Sequence, residues 1–224
     1  MYVHTFVIQT NKNMKKLFIL SAMVLGLGLV TNAQTAAKKI ASNALVLTPG
    51  KWNVDPAHSG VKFSVSHMTV SEVDGSFKVF NGTITSPTAD FNNATVNFTV
   101  DVTSVNTDND MRDKHLKSDD FFNAEKYPSM TFTSTSFKKV KGNIYSLEGN
   151  LTIRDVTKKT KFAVLYGGAA KDPYGNTKAG FKASTKISRE AFGLKWNKLT
   201  EAGGAMVGDE VGIVLNLEFA QAKS

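Results

Sequence analysis

The chain contains no cysteine. That absence removes disulfides, cysteine nucleophiles, thiolate metal sites and an acylated N-terminal cysteine together. Histidine is scarce, with four in 224 residues. His58, His67 and His115 lie on three separate stretches, and no His-x-His or His-Glu-x-x-His pair brings two imidazoles together, so no metal site is expected. Arginine is scarcer still: Arg112, Arg154 and Arg189 are the whole complement. The formal charge of +8 therefore rests on scattered lysines such as Lys195 and Lys198, whereas nucleic-acid binding wants clustered Arg and Lys with interleaved aromatics. No nucleic-acid partner is expected. A modest lysine excess suits transient contact with an anionic membrane surface or a plain solvated exterior.

Long apolar runs are also rare. Leu17 to Val30 is short for a bilayer span, and no other stretch approaches 18 apolar residues. It follows Met14-Lys15-Lys16 and precedes small residues, so "MKKLFILSAMVLGLGLVTNAQ" has the basic, apolar and cleavage parts of a secretory signal. The expected organisation is an over-extended start at 1–13, a signal peptide at 14–33, a flexible N-terminus at 34–49 and one folded domain at 50–222, exported to the periplasm. Lys12, Lys15 and Lys16 fall in the removed part, which leaves the mature chain at +5.

What the remainder has in abundance is two-residue alternation, the mark of strands with one buried and one wet face. Val61, Phe63, Val65 and His67 share a face, as do Val96, Phe98, Val100 and Val102. Tyr145, Leu147, Gly149, Leu151 and Ile153 form another such series, and Val211, Ile213, Leu215, Leu217 and Phe219 a further one. Turn formers separate eight or nine such segments, for example "DPAHS", "TSPTADFNN" and "KDPYGN". Strands in succession with short turns predict an antiparallel meander, and closing it into a barrel removes its two exposed edges. The fold class expected is therefore all-β: an extended antiparallel eight-stranded barrel with one short helical insertion. That insertion, "TDNDMRDKHLKSDDFF", has Thr107 and Asp110 spaced as a capping box, with Met111, His115 and Leu116 on one face.

Asp55, His58 and Ser59 fall within five residues and invite comparison with a hydrolase triad. A triad is defined by convergence in space, however, and Ser59 lacks the strand-to-helix elbow of a Gly-x-Ser-x-Gly nucleophile. A strand-linking turn in which Pro56 fixes the backbone and Asp55 caps it accounts for the same residues. Asp119 with Asp120, and Glu201 with Asp209 and Glu210, read as solvated loop carboxylates. The glycines of "EAGGAMVGDE" lack the Lys-Ser/Thr and the following helix of a phosphate loop. No catalytic residues, and no enzymatic activity, are expected. The fifteen phenylalanines mostly sit at alternating strand positions. A barrel lined by Phe63, Phe77, Phe98, Phe132, Phe162 and Phe181, with Val65, His67 and Val100, either fills itself or holds an apolar ligand.

Taken in order, "WNVDPAHSGVKFSVSHM", "VDGSFKVFNGTI", "TSVNTDNDMRDKHLKSDDFFNAEKYPSMTFTSTS", "LEGNLTIRDVTK", "GFKASTKISREAFGL" and "VGDEVGIVLNLE" resemble the YceI-like family of exported polyisoprenoid-binding proteins. The resemblance covers residues 50 to 220. It implies a lipocalin-like barrel whose pore carries or sequesters a polyisoprenoid of the quinone or polyprenyl phosphate type, with no further cofactor. It also leaves two alternatives: a stress-related barrel without a ligand, and a hydrolase using Ser59 and His58. Family members can pair along barrel surfaces, and a homodimer is one option here. Arg112, His115, Phe121, Phe122 and Arg189 are expected at a barrel end, as cap or as head-group contacts. The sequence departs from the family pattern at Arg154, Asp155 and Lys159, where the family carries a glycine and a proline around the turn.

Overall fold

The computed structural model describes residues 45–201 and 203–223. The expected start, the signal segment and most of the expected flexible N-terminus lie outside the described residues.

The strands are β1 (Gly50–Val54), β2 (Gly60–His67), β3 (Ser71–Phe77), β4 (Phe80–Ser86), β5 (Thr95–Asp101), β6 (Val105–Asn106), β7 (Ser129–Lys141), β8 (Ile144–Ile153), β9 (Val156–Lys171), β10 (Thr177–Ser188) and β11 (Val207–Gln221), with helix α1 (Asp110–Lys117) between β6 and β7. Neighbours run β1-β4-β5-β7-β8-β9-β10-β11, and β11 pairs back to β1. Along β11, β1 takes Phe219–Gln221 and β2 takes Val207–Asn216. In the same way β3 pairs with β2 and β6 while β4 pairs with β1 and β5. Thus β1 with β2, β3 with β4, and β5 with β6 are three long strands each bent once, and the result is a closed eight-stranded antiparallel barrel.

The bends have local causes. Pro56 has no N–H to give to a ladder, and the Asp55 carboxylate accepts the Ala57 N–H at 3.1 Å to cap a single turn of 3₁₀ helix over Pro56–His58. The Ser59 hydroxyl then accepts the Glu218 N–H at 2.9 Å. At the second bend, Lys78 donates to the Ser104 carbonyl at 3.1 Å and Val79 donates to the Ser104 hydroxyl at 3.0 Å. At the third, Asp101 caps the turn Val102–Ser104 by accepting the Thr103 N–H at 2.8 Å. Two serine hydroxyls therefore replace ladder partners lost where the strands turn. Val102, expected on the face of β5, lies in this turn and is nonetheless buried.

Two expectations for the insertion are corrected. Asn109, rather than Thr107, is the N-cap of α1, its side chain accepting the Arg112 N–H at 3.0 Å. Asp108 adopts a left-handed conformation (φ 57°) that turns the chain ahead of the helix. Thr107 instead gives its N–H and hydroxyl to the buried Asp113 carboxylate, at 2.9 and 2.6 Å. The inward face of the helix is Arg112, His115 and Leu116, an i, i+3, i+4 set. Met111 falls outside that set and is 82% exposed.

Candidate functional site

Inward-facing side chains stack in layers down a barrel of this size. On β11 the series ends Leu215, Leu217, Phe219; on β10 it runs Ile187, Ala183, Phe181; on β9, Phe162 and Val164; on β8, Leu151, Leu147, Tyr145. A cavity of about 420 Å³ occupies the lumen, lined by Leu217, Ala183, Phe162 and Leu147 and by every layer towards α1. It stops before Phe219, Phe181, Val164 and Tyr145, so all four strands mark the same floor. Below the floor the barrel is packed solid: Trp52, Phe91, Tyr145, Phe181 and Phe219 are all buried there.

The lumen stays open because three rings lie against glycine, one of them Phe132 on Gly149. Phe63 faces Gly75 across the β2–β3 pair, and Phe98 faces Gly82 across β4–β5. A Cβ on Gly75 would stand 2.2 Å from the Phe63 ring, and one on Gly82 would stand 2.3 Å from the Phe98 ring. With hydrogen in place of a side chain, each ring packs onto the wall instead of filling the space. The volume falls within the range of small-molecule sites.

Of the residues expected to line the barrel, Phe63, Val65, His67, Phe77, Phe98, Val100, Phe132 and Phe162 do border the cavity. Phe181 does not. The alternation of β10 points it inward, but one layer below the floor, against Phe91 (ring centroids 5.0 Å), Tyr166 (5.3 Å) and Phe219 (5.9 Å).

Arg112, His115, Phe121, Phe122 and Arg189 also border the cavity, at the end covered by α1. The two arginines differ in what remains for a ligand. Arg189 is buried, and its guanidinium donates to the carbonyls of Gly208, Leu194, Trp196 and Val207, with Glu190 at 3.6 Å beside it. Four of its five N–H groups donate to these carbonyls, so at the barrel end it pins the segment between β10 and β11. Arg112 is half-buried and uses Nε and Nη2 on the Thr107 hydroxyl and carbonyl, both at 2.7 Å. Among the described residues no carboxylate pairs with it, since Asp113 is turned to Thr107. The Arg112 charge thus borders a cavity walled mostly by apolar side chains.

The rim is built from aromatic contacts. His115 meets Trp196 and Phe121 edge-on, at 4.9 and 5.1 Å, and its Nε2 lies 2.9 Å from the Asp120 carboxylate. Phe122 packs on Phe77 at 5.8 Å. Arg154, which the sequence marked only as an unusual turn residue, holds this rim from below. It sits in the left-handed region (φ 57°) between β8 and β9 and donates to the carbonyls of Phe121 at 3.2 Å and Gly193 at 3.1 Å. A lone arginine in a tight turn was the only signal, and sequence order says nothing of the two loops it joins.

The Asp55–His58–Ser59 stretch is not a triad. The Ser59 hydroxyl is bonded to the Glu218 backbone, and His58 Nδ1 lies 3.0 Å from Asp55. Lys178 lies between Asp55 and Glu218 and holds the Asp55 carboxyl down to about 2. Asp55, His58 and Glu218 place ligand atoms within 4.8 Å of one another, but the Lys178 ammonium already bridges the two carboxylates.

The fold is thus a closed antiparallel barrel around a cavity walled mostly by apolar side chains. The chain matches the YceI-like domain over residues 52–219. It is 38% identical over 192 residues to Protein YceI of Escherichia coli, covering 84% of this chain and 95% of that protein. The barrel superposes on the crystal structure of Burkholderia cenocepacia BcnA with TM-score 0.62 at 27% identity, covering 74% of this chain and 98% of the other. A polyisoprenoid binding domain from Saccharophagus degradans implicated in plant cell wall breakdown shares the fold at TM-score 0.59 and 16% identity, covering 78% and 100% of the two chains. The chain belongs to the YceI-like family.

Proposed function

We propose that this protein binds an isoprenoid lipid without transforming it, burying the apolar chain in the barrel and keeping the polar head at the rim, and that it carries or sequesters that lipid after export to the periplasm. The observation that supports this most strongly is the Arg112 guanidinium, which no carboxylate pairs among the described residues, beside a cavity walled by phenylalanine and branched aliphatics. An apolar chain gains about 0.8 kcal/mol per buried CH2, so a few isoprene units offset the cost of ordering it. A quinone carbonyl or a phosphate oxygen supplies an acceptor for the Arg112 N–H groups that Thr107 does not engage. The Saccharophagus domain, described as polyisoprenoid-binding, lends the ligand class support through the shared fold. The basic-apolar-small succession of residues 14 to 33 supports export.

Lipid extraction of protein purified from its native envelope, followed by mass spectrometry, tests the reading. A co-purifying isoprenoid is expected. A protein that yields no lipid, and that binds none of a panel of prenols, quinones and prenyl diphosphates, would be the ligand-free structural barrel.

A further inference from the structure

The floor of the cavity rests on a side chain that no barrel strand supplies. Phe91 lies in the loop between β4 and β5, is 1% exposed, and packs against Phe181 (5.0 Å), Trp52 (5.2 Å) and Tyr166 (5.6 Å). Its backbone is left-handed (φ 59°), as is that of Asn93 (φ 62°). Non-glycine residues persist in that region only where their surroundings impose it. Here the Tyr145 hydroxyl donates to the Asp90 carbonyl at 2.6 Å, the Asn93 N–H to the Phe137 carbonyl at 2.8 Å, and the Asp90 carboxylate accepts the Thr88 hydroxyl at 2.8 Å. Two residues suffice to join adjacent antiparallel strands. This longer loop folds back and drives a ring into the barrel end.

We propose that Phe91 and Phe181 set the maximum length of the apolar chain this barrel accepts, Phe91 as a fixed stopper and Phe181 as the surface the chain end meets. The proposal deepens the binding reading above and rests on it. A chain entering past Arg112 runs down to Leu217, Ala183 and Leu147. The next isoprene unit meets the Phe181 ring, which Phe91, Tyr166 and Phe219 hem in on three sides. Any longer chain either leaves its surplus in water or lifts its head off Arg112. Affinity therefore rises with chain length up to the depth of the cavity and then falls. Ala183, the inward residue just above Phe181 on β10, marks where a larger side chain would raise the floor.

Calorimetric titration with all-trans prenols from geraniol through farnesol and geranylgeraniol to solanesol tests this on three proteins. The wild type is expected to show an optimum length, Phe181→Ala to shift it to longer chains, and Ala183→Leu to shift it to shorter ones, each by at least tenfold in relative affinity between neighbouring prenols. Circular dichroism melts confirm that both variants fold, and Phe91→Leu serves as a milder floor variant if Phe181→Ala does not. The same length ranking in all folded variants overturns the gauge and leaves lipid binding intact. Failure of every prenol to bind the wild type overturns the binding reading and the gauge with it.

Discussion

Gly75 and Gly82 act through the atoms they lack. Each leaves room for a phenylalanine ring to lie on the barrel wall, so Gly75→Val is expected to push Phe63 into the lumen. Overpacking of this kind costs about 1–3 kcal/mol. Lipid binding should fall at least tenfold while the barrel still folds, as a comparison of titration and thermal melt will show. At the rim, Arg112→Gln removes the charge but keeps a polar side chain near Thr107. A hydrogen bond to a charged group contributes about 1.5–3 kcal/mol, so affinity for a prenyl diphosphate should drop at least tenfold and affinity for an uncharged prenol should change little. The Asp55–Lys178 pair predicts a pH effect on stability rather than on binding. The folded carboxyl titrates at about 2, below its ordinary value of 3.8, so its contribution is complete above about pH 4 and is lost as pH falls from there towards 2. Unfolding free energies of the wild type and Lys178→Met from denaturant titration should differ by about 1 kcal/mol at neutral pH, the scale of partly exposed ion pairs, and converge near pH 2.

At the scale of elements, the insertion between β6 and β7 does the work of a rim. Phe121 is buried against His115 and Trp196, while Phe122 closes on Phe77. Replacing both with alanine should speed exchange of a bound prenol without abolishing the fold, measurable by dilution of a fluorescent analogue. Arg154→Ala should loosen the same rim from a distance, since it severs the bonds to Phe121 and Gly193. How far these elements were legible follows from what each depends on. Strand faces were readable because alternation is local, and it placed Val96, Phe98 and Val100, or Tyr145 through Ile153, on the correct side. Depth along the axis was not readable: Phe162 and Phe181 have the same inward orientation, yet one walls the cavity and the other lies under it. Phe91 was hidden in a stretch whose Asp, Asn and Pro read as a turn, because its burial comes from partners far along the chain. Arg189 looked like a free charge for the same reason. Its four carbonyl acceptors lie five to nineteen residues downstream, in a segment with no regular pattern.

For the whole molecule, closure explains both stability and function. Three bent strands and five straight ones leave no broken seam around the ring, and one end is stoppered with aromatic rings while the other is roofed by a helix and a loop. The space left between them is walled mostly by apolar side chains, with Arg112 and Arg189 at the end under the helix. The most direct test of that account is titration of geranylgeranyl diphosphate while following tryptophan fluorescence. Trp196 borders the cavity, whereas Trp52 is buried below its floor. The account predicts a saturable change in emission that disappears in Trp196→Phe, while calorimetry of that variant still registers binding. A flat titration in the wild type, with no heat of binding, would contradict it.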